Sequence, residues 1–552
     1  MSGRSFLAAA AVLVIGLCLS ACQPHRVARA ACPVGWRCLE YGNNTDPSTI
    51  DPQLAQTVNE ATILRELFEG LFADGPNGAP APGVADSWET SPDGLTWTFH
   101  LRPELWSDGA PVTANDFVFA YRHMLDPKTA SPYAYLLYVL KNAQAANRGG
   151  PLDRIGARAL DDHTLQLTLE HPASYLPQLL KHQAFYPIPE HVVRRWGVDW
   201  VKAGHMVGNG AYVLKDWRLG DYLRIERNPR YHDAARVCFD RVNFYPLNDV
   251  VSAERRVLRG EVDINAGIQS NRVSRLRGRT DSAPFVHSHP YLTTTYIIFN
   301  RRDVAPLKDV RVRQAISMAI DRTFITTKLT RAGQVPTSSF VPRGIAGYLP
   351  PDAPHPAPYW AGWSLQRRQG EAVRLLASAG YTAAKPLRLE LKTFNAPGSL
   401  VVAESIQADL KTVGIDVRFQ QEDGAVIFES FNIRDFQLGI AGWVADYDDP
   451  MTFLGLMKSD TGAQNYGDYR NPAYDALLHE ADLEPNAQRR ALLLAKAEQM
   501  VLDDADMAPI LTGVNLNLVN PAITGWVDND ADIHPIRYLC RRDAGVSRNL
   551  AR

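Results

Sequence analysis

Three consecutive segments in the later half of the chain restrict its architecture more than anything else. "LRLELKTF" puts Leu387, Leu389 and Leu391 on alternate positions, as a strand with one buried face requires. "VVAESIQADLKTVG" has helical character and stops at Gly414, and "IDVRFQ" alternates again through Ile415, Val417 and Phe419. A strand, a helix and a strand of these lengths form a crossover unit, so the two strands are expected to run parallel in an α/β sheet. "FQLGIAGW" reads as a further buried strand, and "GWVADYDDP" then brings three carboxylates, Asp446, Asp448 and Asp449. Aspartates are good turn formers and could simply end the strand. In open α/β sheets, however, ligands sit beyond the carboxyl ends of strands, so Asp446 is placed to meet a positively charged group.

Elsewhere the patterns are those of ordinary elements. Leu95, Trp97, Phe99 and Leu101 alternate as a strand, and "HTLQLTLE", residues 163–170, reads as another. "TAND", Thr113 to Asp116, resembles a capping box before a helix carrying Phe117, Phe119, Ala120 and Met124. Val312, Ala315, Ile316, Ala319 and Ile320 mark one face of a helix after Asp309, and Ala372, Leu375, Leu376 and Ala379 mark another that Gly380 stops.

At 552 residues the chain is expected to form two or three lobes. A formal charge of -2 offers no field to attract nucleic acid or an anionic membrane surface. The N-terminus has Arg4, an apolar run from Phe6 to Leu19, and small residues before Cys22, the layout of an export signal over residues 1–21. "LSAC" looks like a lipobox, so Cys22 is expected to carry lipid at the head of a tether over 22–38; a cut after "ARA", Ala28 to Ala30, is the rival. Gln23 hints at an outer membrane if the organism has one. Four cysteines then remain, Cys32, Cys38, Cys238 and Cys540, with three possible connectivities in an oxidising compartment. Cys32 with Cys38 and Cys238 with Cys540 is the favoured pairing; the others stay open.

Catalytic signatures do not hold up. There is no G-x-S-x-G elbow, no H-E-x-x-H and no Gly-Lys pair to complete a phosphate-binding loop. His287 and His289 in "VHSHP" could ligate a metal from one face of a strand, but they read better as exposed strand histidines, and no metal or other cofactor is assigned. An exported chain without a catalytic constellation reads as a binder rather than an enzyme.

From Trp97 to Ala134, "WTFHLRPELWSDGAPVTANDFVFAYRHMLDPKTASPYA", the chain resembles the extracytoplasmic oligopeptide-binding proteins of ABC importers, the peptide and nickel solute-binding family. "VGNGAYVLKDWRLGDYLRIERNPRYHDA", "LKDVRVRQAISMAIDR" and "GWVADYDDPMTFLGLM" extend the resemblance over about residues 40 to 515. It implies an α/β, two-lobed periplasmic-binding-protein fold of type II, hinged between lobes, with an extra small domain. Lobe I would take 39–68, 190–290 and 515–552, the extra domain 69–189 and lobe II 291–514. The C-terminal segment would return to lobe I and let Cys540 approach Cys238.

The resemblance also implies a site. Asp446 would take a peptide's free α-ammonium with support from Tyr133, while Gly442, Trp443, Val444, Tyr296 and Val58 would lie along the ligand. Main-chain pairing would make binding independent of peptide sequence. Where relatives carry basic groups for peptide carboxylates, this chain matches Ile440 and Phe431, with Thr330 and Val401 at looser matches; Arg331, Lys328 and Arg434 are nearby substitutes. A pocket tryptophan is matched by Gly424, an acidic residue by Gln56, and a cysteine pair by Thr293 and Val444. An ordinary oligopeptide is the first expectation, a modified or murein peptide the second, and a nickel chelate, haem or oligosaccharide the third. The implied partners are a membrane permease and its separate ATPase, the receptor itself being a lipid-anchored monomer in the periplasm or cell envelope. A sensory binder that does not import is the competing class.

Overall fold

A computed structural model describes residues 32–173 and 175–542. The export signal, Cys22 and the start of the tether therefore lie outside the described residues. The central sheet runs, in order, through Ile415–Glu422, Leu387–Phe394, Leu438–Val444, Val286–Phe299, Met507–Val519, Ile264–Ala266, Cys38–Gly42, Arg241–Tyr245, Tyr222–Arg227 and Tyr212–Arg218, with Val335–Pro336 added beside Met507–Val519.

The crossover unit forms as its periodicity requires. Leu387–Phe394 is parallel to Ile415–Glu422 in unbroken register from Leu387 opposite Ile415 to Phe394 opposite Glu422, and parallel to Leu438–Val444 at Leu391 and Lys392. The helix Pro397–Thr412 lies between the first two and buries Ala403, Ile406 and Leu410. Gly414 leaves the helix at φ +91°, a backbone conformation that a side chain would strain, and so turns the chain directly into the next strand.

Two long antiparallel strands, Val286–Phe299 and Met507–Val519, run from one lobe to the other. One end of this ribbon pairs with Ile264–Ala266, the other with Leu438–Val444. Its register shifts between Pro290 and Thr294 and again between Thr295 and Tyr296. Pro290 has no N–H to give the ladder, and Gly513 packs so close to Thr293 that a Cβ would collide with its methyl. Pairing is thus weakest midway between the lobes, where a hinge is needed.

A separate antiparallel sheet of Ala85–Thr90, Thr96–Leu101, Thr164–Thr168 and Ala157–Asp161 packs with the helix Ala114–Leu125. Thr113 and Asp116 form the capping box at its start. Cys32 is bonded to Cys38, and Cys238 to Cys540, which fastens the C-terminal segment beside Arg241–Tyr245. No helix of the described residues is long and apolar enough to cross a membrane.

Candidate functional site

Strand Leu438–Val444 pairs with Val286–Phe299 along its whole length, but with Leu387–Phe394 only at Leu438 and Gly439. Its second edge from Ile440 onward therefore has no strand partner among the described residues. A free edge of this kind presents main-chain N–H and C=O groups to whatever lies beside it. Beside it is a cavity of about 250 Å3, lined by Gly442, Trp443, Val444 and Asp446 from this strand end and by Val58 and Tyr133 from the opposite wall. A Cβ on Gly442 would touch nothing closer than 3.9 Å, so the backbone there is approachable.

The three carboxylates at the strand end separate completely. Asp449 is buried in a two-pronged ion pair with Arg490, at 2.7 and 2.9 Å. Asp448 accepts the backbone N–H of Ala346 at 2.8 Å. Asp446 has neither arrangement. Its Oδ1 accepts a long hydrogen bond from the Tyr133 hydroxyl, 3.4 Å, across 313 residues of chain. Its Oδ2 is buried with no hydrogen-bond partner.

Electrostatics make that isolation costly. Burial pushes the Asp446 carboxyl up from its ordinary 3.8 to about 7, with only the Tyr133 hydroxyl opposing. At about 1.4 kcal/mol per pKa unit, holding the ionised form there costs on the order of 4 kcal/mol unless a cation arrives. His182, whose Nε2 is 3.9 Å from Asp446 Oδ1, cannot be that cation. Burial and the nearby Arg65 guanidinium lower it to about 3, so it is neutral. Backbone N–H of Ala184 donates to its Nδ1, which leaves the proton on Nε2, facing Asp446.

Of the other residues expected along the ligand, Gln56 lines the cavity with Val58. Tyr296 does not. It is 1% exposed, its ring 5.1 Å from that of Phe340, because both faces of its strand are covered from Tyr296 to Phe299. Ile440 and Phe431 are also core residues. Thr293 and Val444 face each other in register, where a cysteine pair would have been possible. None of the substitute cations lines the cavity: Arg434 is held by the Asn465 carbonyl and Asp468, Lys328 lines a separate hollow with Trp363, and Arg331 is exposed. The cavity's one arginine or lysine among the described residues is Arg65, which donates through Nε to Asp74. Arg65 and His182 carry no motif or spacing signal. Tertiary contact alone brings them here.

The walls are in contact around the site. Tyr175 stacks on Tyr447 at 5.6 Å between ring centres, and Gln144 donates to Asp460 at 2.7 Å. A second cavity, of about 360 Å3, lies beside the first, with Tyr135 and Tyr447 in its lining.

Residues 79–465 match the family model described as "Bacterial extracellular solute-binding proteins, family 5 Middle". The chain is 36% identical over 499 residues to the periplasmic oligopeptide-binding protein OppA of Escherichia coli K12, covering 89% of this chain and 90% of that protein. Among solved structures, the Haemophilus influenzae OppA complex with the peptide RPPGFSPFR superposes with a TM-score of 0.86 at 31% identity, covering 92% of this chain and 99% of that one. The E. coli murein tripeptide binding protein MppA gives 0.87 at 34% identity, over 92% and 99%. MppA in its unliganded open form gives only 0.67 at the same identity, over 92% and 98%. Sequence being equal, that drop reports lobe arrangement: the lobes here stand as in the peptide complex.

Proposed function

Because the chain belongs to the family 5 bacterial extracellular solute-binding proteins, we propose that it is a receptor that captures peptides in the cleft between its lobes and delivers them to an ABC transporter permease for import. The observation that carries this reading is Asp446, an acid buried in the closed cleft with Oδ2 unpartnered and, among the described residues, no lysine or arginine paired with it, the cavity's Arg65 being engaged by Asp74. A peptide α-ammonium supplies the missing charge, and closure around the pair strengthens it by excluding water. The free strand edge beside it receives the peptide main chain, while neither feature asks anything of the peptide's side chains.

The parts we assign are those expected from sequence: lobe I from 39–68, 190–290 and 515–552, the extra domain from 69–189, and lobe II from 291–514. The chain would be held at the envelope through a lipid on Cys22, act as a monomer, and rely on a separate ATPase for energy. The relatives named periplasmic support an envelope location.

A modified or murein peptide is the second reading. It is favoured by the residues matched to carboxylate-binding cations, Ile440 and Phe431, which are apolar and buried, leaving Arg65 as the cavity's basic group. Native mass spectrometry of protein purified from its own host, followed by denaturation, tests both. Linear peptides with free amino termini support import of ordinary oligopeptides; branched or D-residue peptides support the second reading; a sugar or haem contradicts both.

A further inference from the structure

Below the cleft, the segment after Met507–Val519 folds back across the lobe-crossing ribbon and brings Asp532 and His534 to His289, a residue the sequence keeps far from them. One ligand atom from each of His289, Asp532 and His534 lies within 4.8 Å of the other two. The three side chains are 11, 17 and 5% exposed. Asp532 also lines the cleft, so this group is reachable from it.

The hydrogen bonds around the imidazoles determine where their lone pairs are. Nδ1 of His289 stands 3.1 Å from the carbonyl oxygen of Pro290, which can only accept, so the proton is on Nδ1 and Nε2 carries a lone pair. That Nε2 is buried and has no hydrogen-bond partner; the nearest acid, Asp528, is 3.7 Å away. Nε2 of His534 lies 2.9 Å from Oδ1 of Asp532, and its Nδ1 is buried without a partner as well. A neutral imidazole fixed by its other N–H on a carbonyl, as His289 is, is the arrangement of metal-ligating histidines. The stranded Nε2 lone pair of His289 is costly to bury with nothing to fill it, and Nε2 of His534 and Oδ1 of Asp532, 2.9 Å apart, already stand near the spacing of two ligands on one ion.

We propose that His289, Asp532 and His534 form a binding site for a divalent transition-metal ion of the zinc class. Two imidazoles and one carboxylate suit zinc, cobalt, nickel or copper rather than calcium or magnesium, which prefer all-oxygen shells. Ligand atoms about 2.1 Å from one ion stand about 3 to 3.5 Å apart, so the group needs a convergence of at most about 1.3 to 1.8 Å, within reach of side-chain rotation. The ion would tie segment 526–534 to the ribbon next to its register shift at Pro290. The other such group, Glu69, Glu104 and His232, is weaker because Glu69 already has a cation, the Arg537 guanidinium at 4.0 Å, as well as the Tyr231 hydroxyl.

The test uses the full chain with no affinity tag. Trp526 stacks on His534 with ring centres 3.6 Å apart, so its fluorescence reports an ion there. Titration with zinc by calorimetry, and with copper by quenching of Trp526, should show one site per chain. His289→Gln and His534→Gln should each weaken it at least about 100-fold. His287→Gln, whose Nδ1 partner is Asp528, should leave it unchanged. Melting curves without metal and retained peptide binding establish that the variants fold. Absence of zinc binding below millimolar concentration, or undiminished binding in the His289→Gln and His534→Gln double variant, overturns the proposal.

Discussion

Asp446 and Asp449 leave the same strand three residues apart and meet opposite surroundings. At the seam where Arg490 also covers the ring of Tyr175, the acid has its own cation, satisfied on both oxygens. In the cleft, the acid has a long hydrogen bond from Tyr133, a neutral histidine, and an oxygen with nothing. The first is a structural fastening complete within the chain. On our proposal the second is completed by a ligand, and this difference is what singles out Asp446 among the three carboxylates.

Removing the internal cation should have the largest effect. Arg490→Met leaves Asp449 charged and buried, and should cost about 3 to 5 kcal/mol of stability by urea unfolding; adding Asp449→Leu should return most of it. If Arg490→Met alone is neutral, the two acids are not different in kind. Asp446→Asn should do the reverse. Unliganded stability is kept, since no internal partner is lost, while affinity for free-amine peptides should fall by about 2 to 4 kcal/mol in calorimetry.

The third prediction concerns pH. Asp446 has a raised pKa, about 7, in the closed and empty cleft, where burial causes it; opening the cleft to water removes that cause. The closed form therefore binds a proton more tightly than the open one. Closure of the unliganded protein should be favoured as pH falls from about 7 toward 4, by up to about 1.4 kcal/mol per pH unit, and disfavoured above 7. Small-angle scattering should show the wild type contracting over that window and Asp446→Asn not changing. The smallest effect is Tyr133→Phe, which removes one hydroxyl from the ammonium site and should weaken binding by about 1 kcal/mol. A loss as large as that of Asp446→Asn would make Tyr133 the primary contact instead.

Much of this was readable from the chain, for identifiable reasons. The parallel strands at Leu387 and Ile415 follow from two alternating runs and a helix of fitting length, and Thr113 with Asp116 is a local cap. Asp446 stood out because a strand end in such a sheet is a ligand position before any contact is known. Tyr296, expected on the ligand from the resemblance alone, lies where both faces of its strand are covered, which depends on how the neighbouring elements pack and not on its own position in the sequence. His182, Arg65 and the grouping of His289 with His534 were invisible because each depends on tertiary contacts rather than on spacing along the chain. Sequence shows an acid at a strand end. Only the fold shows that no lysine or arginine of the described residues pairs with it.

The most direct measurement is calorimetric titration of wild type and Asp446→Asn with one peptide recovered from the protein and with its N-acetylated twin. The account predicts that wild type binds the free amine more tightly by about 2 to 4 kcal/mol and that Asp446→Asn does not distinguish the two. Equal affinity of wild type for both peptides would contradict it, and Asp446 would then be a buried acid without a ligand role.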